Sequence, residues 1–310
     1  MSVQLSFRGL LAPVSVFVSV GIASASLGQS PYAIEVVEYL PGVGVPAGYD
    51  VPESALGAPS RFTDDPLFPS AVTPFSSAYL PAQVCGVGGG GHLVIAFESP
   101  VVDDPMNPFG IDLLIFGNSF FIDAAYPAGV VGSFFGDGGV VEVSADGKAW
   151  FEVAEVDADG LFPTLGYEDV GPYPTLPGNV PTDFTRPVDP MLGPLLVGMT
   201  HEQVVAAYAG SGGGAGIDLA SVGLPEVSFV RVSLPAGSGF TIEIDAASDV
   251  SPPAADPDLD GDGAIGGGDL TILLASWGES GANIPADLDG DGAVGGSDLT
   301  ILLSNWNLEG

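Results

Sequence analysis

Basic residues are scarce in this chain: five Lys and Arg stand against 39 Asp and Glu, for a net charge of −34. Such a surface repels phosphate backbones and anionic bilayers and gathers cations, which excludes nucleic acid as a partner. Cysteine is almost absent. Cys85, the single one, has no intrachain partner, so an exported fold must rest on its core and on metal rather than on disulfides. His92 and His201 are the only histidines, and neither stands next to Cys85 in sequence. No Cys–His nucleophile is marked, and Cys85 reads as a buried thiol. Long apolar runs are lacking too. The run from Gly9 to Ile22 spans about 14 residues, short of the roughly 20 that a membrane helix needs. It follows Arg8 and leads into small residues from Ala23 to Gly28, the layout of a secretory signal. Residues 1–28 are therefore expected to be an address, removed near Ser26 or Gln29. The mature chain would have no membrane span and would be secreted or held at the cell surface.

What is present is enough for a core. Hydrophobic residues make up 46% of the 310 residues and charged ones 14%, and the apolar stretches are short and separated by many of the 46 Gly and 28 Pro. That composition predicts strands joined by turns. Residues 29–250 keep this character and are expected to form one mainly β domain, a sandwich. Candidate strands are Leu93 to Phe97, Ile111 to Phe116, Val140 to Ser144, Phe229 to Ser233 and Thr241 to Ala246. In the last, alternation places Ile242, Ile244 and Ala246 on one face and Glu243 and Asp245 on the other. Leu113 to Phe116 is apolar throughout and suits a strand covered on both faces. Ser144-Ala145-Asp146-Gly147 reads as a hairpin turn, with Trp150 returning to the core. One helix is expected from His201 to about Ala209, with Thr200 and Gln203 as a capping box and Gly210 as its stop. The Pro-rich stretch from Gly166 to Pro194 is too long for a hairpin turn. It is either an insertion covering an edge or a binding loop, in which Tyr167, Tyr173 and Phe184 could stack on sugars and Asp183 and Arg186 could hydrogen-bond them.

Residues 251–257, with three prolines, form a stiff linker to a carboxyl-terminal module over 258–310. Asp258 to Trp277 and Asp287 to Trp306 repeat at an offset of 29 residues and agree at 16 of 20 positions. Each copy places Asp at positions 1, 3, 5 and 12 of a loop and Gly at position 6, the spacing of an EF-hand calcium loop. Asp258, Asp260, Asp262, the Ala264 carbonyl and Asp269 would hold one ion. Asp287, Asp289, Asp291, the Ala293 carbonyl and Asp298 would hold a second. Four carboxylates in one loop repel one another unless a divalent cation offsets them. After each loop, Leu270, Leu273, Leu274 and Trp277, and likewise Leu299, Leu302, Leu303 and Trp306, recur at helical spacing, and the tryptophans are expected in the core.

This repeat resembles the type I dockerin, the calcium-dependent module that docks cellulosomal enzymes onto cohesins. The resemblance covers Asp258 to Trp306 and extends to Asp at position 12, Asp269 and Asp298. The chain departs from the family at positions 10 and 11, where Gly267-Gly268 and Gly296-Ser297 stand in place of a polar pair. A cohesin-like or cell-surface protein is the partner that the resemblance implies. The larger domain resembles, more loosely, the discoidin-like or galactose-binding-like jelly rolls of bacterial cell-surface proteins. The stretches that carry this include Gly110-Ile111-Asp112-Leu113, Gly216-Ile217-Asp218-Leu219 and Phe229-Val230-Arg231-Val232. The resemblance implies a jelly-roll-like fold and an extracellular polysaccharide or matrix ligand. Two functions follow: a secreted calcium-binding surface protein, or a polysaccharide-degrading hydrolase of the glycoside hydrolase type carrying a dockerin. No catalytic residue is marked for the second.

Overall fold

The structure, a computed structural model, describes residues 30–63, 71–250, 257–279, 284–286, 288 and 294–306. The expected signal segment and nearly all of the linker lie outside the described residues. Among those described, the strands are β1 (Glu35–Leu40), β2 (Cys85–Val87), β3 (His92–Val102), β4 (Leu113–Gly117), β5 (Phe120–Asp123), β6 (Val131–Phe135), β7 (Gly138–Ser144), β8 (Phe151–Asp159), β9 (Ala215–Ile217), β10 (Glu226–Ser233) and β11 (Ile242–Asp249). Three α-helices accompany them: α1 (His201–Tyr208), α2 (Gly267–Ala275) and α3 (Gly296–Ser304). None is long and apolar enough to cross a membrane.

The strands pair antiparallel in a five-stranded sheet ordered β1-β3-β10-β7-β8, a four-stranded sheet ordered β2-β11-β4-β9, and the hairpin β5-β6. Both larger sheets contribute to one core. Leu93, Ile95, Val141, Val143, Val230 and Val232 come from the first, and Cys85, Val87, Leu113, Ile115, Ile242 and Ile244 from the second. A β-sandwich results, each inner face built from alternate residues of its strands. Cys85 is buried there, and burial pushes its thiol up to about 12, so it stays protonated and inert.

The outer face of the four-stranded sheet is covered as well. Leu114 and Phe116 of β4 pack with Ala246, Val250 and Phe184 in a second layer, which explains why β4 has no polar face. Ile111 falls outside β4. In β11 the expected alternation fails, because a bulge lies between Ile244 and Ala246. Beyond it Ala247 joins the inner core with Ile242 and Ile244, while Ala246 faces the outer layer. One inserted residue reverses every side chain that follows. β3 is longer than the sequence suggested for a similar reason: Pro100, with no N–H to donate, sits where the pairing with β10 shifts between Ala96 and Val101.

Helix α1 has the expected capping box, with Gln203 N–H donating to Thr200 Oγ1 at 3.3 Å and Thr200 N–H donating to Gln203 Oε1 at 2.9 Å. Its stop comes one residue early, since Ala209 already adopts φ +51° ahead of Gly210. The helix packs Val204 and Tyr208 on Phe75, Phe121, Val131 and Leu165, a core distinct from that of the sandwich. Trp150 does not return to the core. It is half-buried, with the Arg231 guanidinium 4.3 Å above its ring, and Arg231 in turn forms an ion pair with Glu142.

Helices α2 and α3 meet through Leu273 and Leu302, both fully buried, with Ala286, Leu288 and Val294 filling the space between. The expected face is only partly right: Leu274, Trp277 and Leu303 are 51%, 48% and 52% exposed. Both tryptophans lie two residues beyond the ends of their helices, where helical spacing no longer sets their direction; Trp306 packs on the small core and Trp277 does not.

Candidate metal centre

The first loop is built by its own carboxylates before any ion is considered. Asp258 accepts N–H bonds from Gly261, Asp262 and Gly263 at 2.8 to 3.1 Å, and Asp262 accepts one from Ala264 at 2.8 Å. Gly261 and Gly263 adopt φ of +72° and +86°. A side chain at either position would meet no neighbour but would strain the backbone, so glycine at position 6 serves conformation rather than space. These turns bring one carboxylate oxygen from each of Asp258, Asp260 and Asp262 within 4.8 Å of the others. Three hard oxygens at that separation fit a cation that is bound through six to eight oxygens.

Asp269, at position 12, lies outside that converging group of three and braces the loop through its backbone. It is the third residue of α2, and it accepts Gly266 N–H at 2.7 Å and Asp260 N–H at 3.1 Å. Those donors hold its carboxyl below the usual aspartate range. The Asp260 carboxyl is pushed up instead, by local desolvation and by the charges of Asp262, Asp269 and Asp258. That repulsion is the electrostatic cost a bound cation would remove.

In the second copy, Asp298 stands where Asp269 does: it is the third residue of α3 and accepts N–H bonds from Leu288 and Gly295. Asp287, Asp289, Asp291 and Ala293 lie outside the described residues. The chain matches no family model and no curated protein.

The Pro-rich stretch is positioned mainly by anchoring contacts. Phe184 is 1% exposed and meets Phe116 edge-on at 5.4 Å, and the Arg61 guanidinium lies over its ring, 4.0 Å from the centroid. Arg61 also donates to the carbonyls of Gly166 and Thr182, at 2.6 and 2.7 Å. Asp183 accepts from Thr185, and the Tyr173 hydroxyl donates to Asp123 at 3.2 Å. Phe184 therefore cannot stack on a sugar; Tyr167 is half-buried and Arg186 exposed.

Sequence patterns gave no sign of the open aromatic surface on the hairpin β5-β6. Phe120 and Phe135 face each other across it with rings stacked 5.1 Å apart, and Phe135 is 46% exposed beside Ile122 at 47%. On the other side of the hairpin, Phe134 borders a cleft of about 460 Å³ with Glu155, Asp157 and Phe162. Glu155 there holds φ +64°, unusual for a residue with a side chain.

Proposed function

We propose that this is an exported calcium-binding extracellular protein whose jelly-roll-like sandwich holds a glycan or matrix polymer and whose dockerin-like tail docks it to a cohesin-like or cell-surface partner. The observation that carries the reading is the convergence of Asp258, Asp260 and Asp262 around one point, in a loop whose sequence recurs from Asp287 to Asp298. Each loop takes one calcium ion, and two short helices around so small a core gain their stability from it. Docking is supported by Leu274 and Leu303, which stand at the same position of the repeat and are equally exposed.

For the sandwich, the reading places the polymer on the β5-β6 hairpin and in the cleft beside it. Aromatic faces next to carboxylates suit sugar rings, which present apolar faces and hydroxyl edges. A stacking ring contributes about 0.5–1.5 kcal/mol, so Phe134→Ala or Phe135→Ala should each weaken retention on an insoluble polysaccharide by about 2- to 10-fold. Retention unaffected by either change would remove this surface from the reading.

Hydrolysis has one observation in its favour. Burial pushes Glu243 up to about 7, helped by the charges of Asp137 and Asp159, and pushes Asp159 up to about 6. Neighbouring carboxyls held near neutrality suit general acid catalysis. Assaying reducing-sugar release alongside retention decides between the two functions: the binding reading expects retention without release. Release that disappears in Glu243→Gln would establish the enzyme.

A further inference from the structure

A second group of acids belongs to neither tail loop. The two Gly-Ile-Asp-Leu stretches of the sequence come together where β4 pairs with β9, with Leu113 opposite Ile217. Asp112 and Asp218 meet there, and Asp103, from the connection between β3 and β4, joins them. One carboxylate oxygen of each lies within 4.8 Å of the others. Asp112 is fully buried. Its Oδ1 accepts Asp104 N–H at 3.0 Å and Asn107 Nδ2 at 2.9 Å, and its Oδ2 accepts Leu219 N–H at 2.9 Å. A carboxylate has about four lone-pair positions, so both oxygens keep capacity after these bonds.

Among the described residues no basic side chain forms an ion pair with these acids. The ion pairs among the described residues are His92 with Glu38 and Arg231 with Glu142, both elsewhere. Asp249 stands close enough to add to the field: burial, and then the charge of Asp112, push its carboxyl up to about 6. The independent sign of a missing ligand is Asn107. Its side chain is 4% exposed and its carboxamide lies against Asp112, yet its Oδ1 meets no donor. A buried acceptor left without a partner is costly, and a group of anions supplies no donor for it. A cation would satisfy the orphaned oxygen and the three carboxylates together.

The geometry points to a calcium site in the sandwich, separate from the tail, held by Asp103, Asp112, Asp218 and Asn107 Oδ1. The donors are all hard oxygens with no His or Cys, which disfavours zinc. They come from separate stretches of chain in an irregular arrangement, which suits calcium better than the strict octahedron of magnesium; water completes the shell. The ion would tie the exit of β3, in one sheet, to β4 and β9, in the other, and so clamp one end of the sandwich.

The test uses the full chain with both tail loops silenced by Asp258→Ala, Asp260→Ala, Asp287→Ala and Asp289→Ala, stripped of metal and titrated with calcium. One saturable ion should remain, and it should raise the melting temperature of the sandwich. Adding Asp103→Asn should weaken that binding by roughly tenfold or more, and adding Asp218→Asn should weaken it further. Asp103 is only half-buried, so its variant keeps the fold and decides the matter even if Asp218→Asn does not. Failure of the tail loops leaves this result untouched. No saturable uptake in the tail-silenced chain, or uptake of unchanged affinity in Asp103→Asn, overturns the proposal.

Discussion

Asp245 should make the sandwich less stable as the pH rises. It is 2% exposed in β11, and its partners are the Ser60 N–H at 2.7 Å and the Ser60 hydroxyl at 3.0 Å. Burial pushes its pKa from 3.8 to about 7, a shift that the Ser60 bonds only partly offset. Between those two values the folded state holds a proton that the unfolded chain releases. The stability this confers is complete at low pH and is lost as the pH rises through about 7. Between pH 5 and pH 8 the loss amounts to about 2–3 kcal/mol, at about 1.4 kcal/mol per unit. Asp245→Asn keeps the shape and both Ser60 bonds, because the amide can accept from the N–H and donate to the hydroxyl, and it has no charge to bury. The variant should therefore match the parent only below about pH 4, and its advantage should grow by roughly 5–10 °C in melting temperature between pH 5 and pH 8. Thermal melts of both proteins in chelator at the two pH values provide the comparison, and all other titrating groups cancel in the difference. An Asn variant destabilised equally at both pH values would refute the reasoning, since it would mean that Ser60 requires a charged carboxylate.

Arg61→Met should cost about 2–4 kcal/mol in denaturant unfolding, because it leaves the Gly166 and Thr182 carbonyls without their charged donor and uncovers Phe184. His201 is held down to about 4 by burial, so it is neutral when folded and opposes stability as the pH falls from 6.5 toward 4. His201→Phe should flatten that acid limb of the stability profile, read from melts between pH 4 and pH 7. Gly263→Ala should weaken calcium uptake by the first loop while leaving the sandwich transition in place, since its positive φ strains any other residue; calorimetric titration of the variant measures this.

The residues that carried local rules were readable from sequence. The Thr200 and Gln203 capping box, the Asp146-Gly147 turn and the glycine of the first acidic loop all follow from the chemistry of a few neighbours. The double covering of Leu113 to Phe116 was also readable, because a strand without a polar residue has no face for water. Long-range events were not. The β11 bulge depends on how β4 pairs with it, and nothing in the alternation of Thr241 to Ala246 announces it. Phe184 lies in a stretch with the composition of an exposed loop, yet it is drawn under Arg61 and onto Phe116. The acids show the same divide. Asp258, Asp260 and Asp262 converge because they are two residues apart, whereas Asp112 and Asp218 converge only through strand pairing. Asp245 looked like a solvent-facing strand residue until Ser60, 185 residues away, became its partner.

The most direct test of the central claim is a calcium titration of the metal-stripped full chain carrying Asp103→Asn and Asp218→Asn, so that only the tail loops remain. The account predicts two saturable ions per chain, a gain of helical circular dichroism as they bind, and loss of one ion in Asp258→Ala. A chain that takes up no saturable calcium, or that keeps both ions when Asp258 is removed, would contradict it.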